Sequence, residues 1–202
     1  MKAPTLSLIS LALIVSSFTF SATARSQSAR SWLEQKPLTN WNKPGATVPK
    51  APNNTSTQDT PRYQHQIRDA ATPEERAVQS AGWTLYNVRG DGKSSGGISL
   101  IKGLTDFDGM CRPSGYQEFV FVNGAFAGTT SPKLMNSRTD GSLSETDIKS
   151  STQLIAKFSR YTEQDPLCCA SRTSTVTYRI ERVNLKRPLV VPIAVKTSVN
   201  SR

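Results

Sequence analysis

The residues able to do chemistry are few and scattered. Asp106 and Asp108 stand two apart and precede Gly109. On a strand they face the same side, where such a pair acts as acid and base or binds a hard cation. The spacing completes no calcium-binding loop, and solvated turn carboxylates are the plainer reading. His65 is the only histidine and falls in a proline-rich stretch, so a histidine-based triad would need that stretch to fold back. Cys111, Cys168 and Cys169 lack the CxxC redox spacing and the histidines of a metal site. Arg138-Thr139-Asp140-Gly141 reads either as a binding loop with Arg138 contacting an anion or as a turn closed by Asp140 and Gly141. Arg89-Gly90-Asp91 spells an adhesion tripeptide that a glycine turn also explains. Tyr116, Tyr161 and Tyr178 offer an aromatic platform, although strand tyrosines more often lean on cross-strand neighbours. These residues assemble no catalytic, cofactor or metal set.

The elements that would position them begin with YQEFVFVNGAFAG at 116–128. Its first half is aromatic and β-branched, which suits a pleated surface. Apolar residues on both parities across 119–122 imply a strand buried on both faces. Asn123-Gly124 supplies two residues that tolerate positive φ for a tight hairpin turn, and Gly128 marks a bulge or a close backbone approach.

Upstream, Thr72-Pro73-Glu74-Glu75 carries an N-cap, a first-turn proline and a glutamate three after the cap, and Gly82 is a stop. This predicts a helix over 73–81 with Ala77, Val78 and Ala81 as its apolar stripe. Strands are expected over 83–88, 98–101, 152–161, 173–182 and 189–195, with Pro192 confining the last to an edge or a bulge. The stretch 131–150 is polar and reads as a loop. The expected fold is α+β, one short helix packed on a mainly antiparallel sheet of five to seven strands, with a small barrel or sandwich as the alternative.

The chain has 202 residues and a formal charge of +10. A short positive start, an apolar run over 6–20 and Ala22-Thr23-Ala24 form a secretory signal over 1–24, with cleavage between Ala24 and Arg25. Cleavage removes Lys2 alone and leaves +9. Residues 25–71 hold five prolines with sparse, aperiodic apolar residues, the composition of a disordered linker. Trp32 and Trp41 break that composition, as docking anchors or as isolated aromatics. Asn53-Asn54-Thr55 matches a glycosylation acceptor. A single domain over 72–197 and a tail over 198–202 complete the division. The basic residues are scattered, which fits general attraction to acidic envelope polymers and not a dedicated nucleic-acid arm.

Export makes a disulfide plausible, and Cys111 bonded to Cys169 or Cys168 would fasten the hairpin region to the last strands. It would close a loop of about sixty residues and contribute roughly 3–4 kcal/mol. The third thiol is left to intermolecular pairing, a bond between the adjacent pair, or burial.

The order Cys111, FVFVNGAFAGT at 119–129, DPLCCAS at 165–171 and TVTYRIE at 175–181 resembles the LppP/LprE family of bacterial envelope proteins. The resemblance spans 100–182. It implies an exported, envelope-associated domain and supplies no catalytic residues. The family is typically lipid-anchored through a cysteine after the signal, and no cysteine precedes Cys111 here. That departure favours a soluble periplasmic or secreted form without a transmembrane anchor. The expected function is a non-enzymatic binding module for an envelope protein or acidic polymer. The rivals are a hydrolase using Asp106 and Asp108 in a cleft, and a basic nucleic-acid or polyanion binder.

Overall fold

A computed structural model of the chain describes residues 31–52, 66–86, 93–182 and 187–201. Among them the strands are β1 (Thr84–Leu85), β2 (Ser94–Ser95), β3 (Ile98–Leu104), β4 (Asp106–Phe107), β5 (Pro113–Ser114), β6 (Gln117–Val122), β7 (Ala125–Thr129), β8 (Ser142–Ser150), β9 (Gln153–Arg160), β10 (Arg172–Arg182) and β11 (Pro188–Val199). One α-helix, α1 (Pro73–Ser80), and a 3-10 turn, Trp32–Glu34, accompany them. The first sheet runs β1-β3-β6-β7 with β2 on β3, the second β11-β10-β9-β8, and β4 and β5 form a separate ribbon. All the pairings are antiparallel.

The expected α+β fold with one sheet of five to seven strands is therefore corrected. The chain is mainly β, with three sheets, one helix and no closed barrel among the described residues. The strands divide because the chain leaves β7 through a connection tied back by the Tyr116–Met135 bridge. It re-enters as β8, which pairs with β9 and not with β7. That β8 is a strand is a second correction. Its polar side chains belong to a sheet edge, and register shifts near Leu143 and Ile148 break the alternation that would announce it.

The hairpin forms as its residues require. Val122 pairs with Ala125 across Asn123 and Gly124, whose φ values are 48° and 79°. Every residue of β6 is buried. One parity, Val120 and Val122, joins Leu100, Phe158, Val176 and Tyr178 in the core shared with the second sheet. The other, Phe119 and Phe121, packs with Val78 of α1, Trp83 and Ile101. The first sheet thus lies between the second sheet on one side and α1 with its neighbours on the other.

Helix α1 is closed by a capping box. Thr72 Oγ1 accepts from the Glu75 N–H at 3.2 Å, and Glu75 accepts from the Thr72 N–H at 3.2 Å. Val78 is buried as expected, whereas Ala77 is exposed. Strand β11 is an edge strand, and the chain steps from Ala194 to Pro192 opposite Thr177 and Tyr178, so the proline sits beside a bulge.

The disordered linker expected over 25–71 is corrected for 31–52. Trp32 and Leu33 are buried in the shared core, and Trp41 packs against it. The aromatic rings, not the average composition, decide this. Trp32 meets Trp41 at 5.0 Å and Phe158 at 5.2 Å, both edge-on. The signal, Ala24, Arg25, the 53–55 acceptor, His65 and the 89–91 tripeptide lie outside the described residues.

Candidate functional site: a groove under an N-terminal arm

Residues 31–52 form an N-terminal arm, and its second part, 41–52, crosses the α1 side of the first sheet, held at both ends by hydrogen bonds. At β7, Asn42 Nδ2 donates to the Thr129 carbonyl at 3.1 Å, and the Thr129 N–H donates to Asn42 Oδ1 at 2.9 Å. The same amide reaches the Val190 carbonyl of β11 at 3.0 Å and so joins the edges of the two sheets. This approach requires Gly128. Its φ is 140°, and a Cβ there would lie 2.4 Å from the Asn42 side chain. The β6–β7 register also shifts at this point, so Gly128 marks both a bulge and a close approach. At the far end the Trp83 indole donates to the Pro49 carbonyl at 2.7 Å, and the Ala51 N–H donates to the Ala81 carbonyl at 2.8 Å.

Between these ties the arm and the sheet border an open groove of about 540 Å³. Phe126 of β7 and the buried Trp83 just before β1 contribute from one side, Trp41 and Pro49 from the arm, and Pro132 and Leu134 from the loop after β7. Lys43 and Lys50 stand at its border, and no carboxylate lines it. Both indole N–H groups are already engaged, Trp41 with Thr129 Oγ1 at 3.1 Å and Trp83 with Pro49. Gln117 also lines the groove, but its amide already donates to the Ser131 carbonyl at 3.0 Å. Apart from the exposed Thr47 hydroxyl, the surface left to a ligand is apolar and cationic.

A second cavity, of about 620 Å³, is polar and lies around Arg160. The Arg160 guanidinium is buried and bonds Asp140 Oδ1 at 2.8 Å, Glu34 Oε1 at 2.8 Å and Ser174 Oγ at 3.2 Å. Asp140 also accepts from the Tyr161 N–H at 2.9 Å. Arg138 is exposed in a turn, at φ 59°, and does not line this cavity. The structure therefore gives Asp140 to a clasp on the arm and leaves Arg138 apart from it.

Asp106 and Asp108 do not meet over a cleft. Asp106 Oδ1 accepts from the adjacent Phe107 N–H at 2.6 Å. Asp108 accepts from the N–H groups of Met110 and Arg112 and pairs with the Arg112 guanidinium at 2.5 Å. Its partial burial pulls its pKa up, but these bonds outweigh that and hold it below the usual carboxylate range. It closes the tip of the β4–β5 ribbon, and neither aspartate lines the two cavities above.

The expected Cys111 bridge is also corrected. Cys168 bonds its neighbour Cys169, and Cys111 is a free, half-buried thiol at the ribbon tip. The reason is local closure. Asp165 accepts from the Thr162 N–H, the Ser171 N–H and the Ser171 hydroxyl, so the connection carrying the pair folds on itself. These bonds draw the Asp165 pKa down to about 2. Tyr116 and Tyr178 form no platform. Both are buried, with hydroxyls bonded to Leu143 and to the Thr130 carbonyl.

Glu118 gave no signal in the sequence. It points from β6 between the sheets, fully buried, and accepts from Thr146 Oγ1 at 2.7 Å. Burial raises its pKa, while Lys102 opposite it on β3 pulls the other way.

Residues 100–182 match the LppP/LprE lipoprotein family. The LppP/LprE-like segment runs from β3 through β10 and holds the hairpin, the ribbon and the cysteine pair. It points to an envelope-associated protein and assigns no role. The arm, α1 and β11 lie outside it, so the groove is walled partly by residues inside the match and partly by residues beyond it. No curated protein and no solved structure matches the chain. No helix among the described residues is long and apolar enough to cross a membrane.

Proposed function

We propose that this chain is an exported, non-enzymatic binding domain of the cell envelope, and that the groove under the arm holds its ligand. The observation that carries this reading is the open apolar groove with two lysines and no acid at its walls. Its size is within the range of about 300–1,000 Å³ typical of small-ligand pockets. The family match supports envelope association. The carboxylates considered for hydrolysis are taken up by local backbone geometry, which favours binding over chemistry.

The test uses N-phenyl-1-naphthylamine, an uncharged apolar fluorophore. The protein should bind it saturably, and fractions of envelope extract holding the natural ligand should displace it. Leu134→Glu, at a groove residue 44% exposed, should abolish binding without unfolding the chain. Non-saturable binding, or binding unchanged in that variant, overturns the reading.

A further inference from the structure

The groove's free chemistry narrows what fits it. A peptide adding a strand to β7 would meet Asn42 at Thr129, where it occupies both the N–H and the carbonyl. A sugar needs many hydrogen-bond partners, yet the two indoles and Gln117 are turned to the protein's own acceptors. Apart from the exposed Thr47 hydroxyl, what remains open to a ligand is the Phe126 and Trp41 rings, proline and leucine, so the buried part of the ligand is an apolar chain. Lys43 and Lys50 make no ion pair with a described residue, and no acid lines the groove to neutralise them. A cationic rim over an apolar floor complements one chemistry.

We infer that the ligand is a single-chain anionic amphiphile, with its alkyl chain against Phe126, Pro132 and Leu134 and its acid head beside Lys43 and Lys50. This rests on the groove being the binding site. The chain supplies most of the affinity through buried area, and the exposed lysines supply the preference for an acid, which salt weakens.

Three probes of equal chain length separate the two parts: decanoate, decanol and decyltrimethylammonium, each displacing the naphthylamine fluorophore. At low salt decanoate should bind about fivefold tighter than decanol, the order expected of two exposed charge contacts, with the cation weakest. Raising the salt should shrink that gap. The double variant Lys43→Gln/Lys50→Gln should bind decanol as the parent does and lose the preference for decanoate. Equal affinity for decanoate and decanol in the parent, or a preference surviving in the double variant, overturns the inference while the groove stands as a binding site. Failure of all three to displace the fluorophore overturns the alkyl-chain assignment. Loss of fluorophore binding itself would be the failure of the groove reading.

Discussion

The first end of the N-terminal arm is built into the body, and its second end stands over it as a wall. At the first, Trp32 and Leu33 are buried between rings, and Glu34 closes on Arg160. At the second, Lys43, Pro49 and Lys50 are exposed, Val48 and Ala51 pack half-buried at the edge of the α1-side core, and the Trp83 indole and main-chain hydrogen bonds tie the segment down. Both ends come from one polar, proline-rich stretch. What separates them is whether an aromatic ring reaches the core. The closed end fixes the arm, and the open end is free to border a ligand.

The hardest test of this division is Trp32→Ala. Removing a buried tryptophan from a core typically costs about 3–5 kcal/mol. The expected result is a large fall in the urea midpoint with the cooperative slope kept. An unchanged midpoint would make the first end a surface attachment like the second, and the contrast would be gone.

The hinge between the two ends is Asn42. Asn42→Ala leaves the Thr129 N–H and two carbonyls without their partner and should cost about 1–3 kcal/mol. Gly128→Ala should cost a comparable amount, because the new Cβ meets Asn42 and the φ of 140° disfavours a side chain. Since part of each loss is the same contact, the double variant should fall short of the sum. Urea unfolding of the four proteins reads the coupling. Strict additivity would mean that the glycine serves the bulge alone and the arm is not held there.

What the sequence announced follows the same line. The β6–β7 hairpin and the α1 capping box were legible because their causes are local. Asn123-Gly124 makes its own turn, and Thr72 and Glu75 satisfy each other. The arm was not legible, because its order comes from partners 88 residues away at Thr129 and 148 away at Val190. The groove was hidden for the same reason. Trp41 and Trp83 are visible as aromatics, but nothing in their neighbourhoods says that they converge. Cysteine pairing failed differently. Cys111 beside one strand and the pair beside others suggested a bridge, while nothing in the neighbourhood of Asp165 shows that it folds the connection locally. The burial of Glu118 within an otherwise readable strand shows the limit of pattern reading. Its parity places it between the sheets, where Thr146 donates to it and Lys102 and Lys93 offset part of the cost of burying it.

The smallest expected effect tests whether rings or charges close the first end. Glu34 is 45% exposed at its side chain, while that of Arg160 is 3% exposed. Glu34→Gln leaves Arg160 with Asp140 at 2.8 Å and Ser174 at 3.2 Å, so its buried charge keeps a countercharge. The loss should therefore resemble that of an exposed pair, about 0.2–1 kcal/mol, and should diminish as salt is added. Urea midpoints of parent and variant at low and high salt measure it. A loss of several kcal/mol that persists in high salt would mean that Arg160 depends on Glu34 for its burial. The arm would then be clamped by an ion pair at its closed end, and Trp32 would be a consequence of that clamp and not its cause.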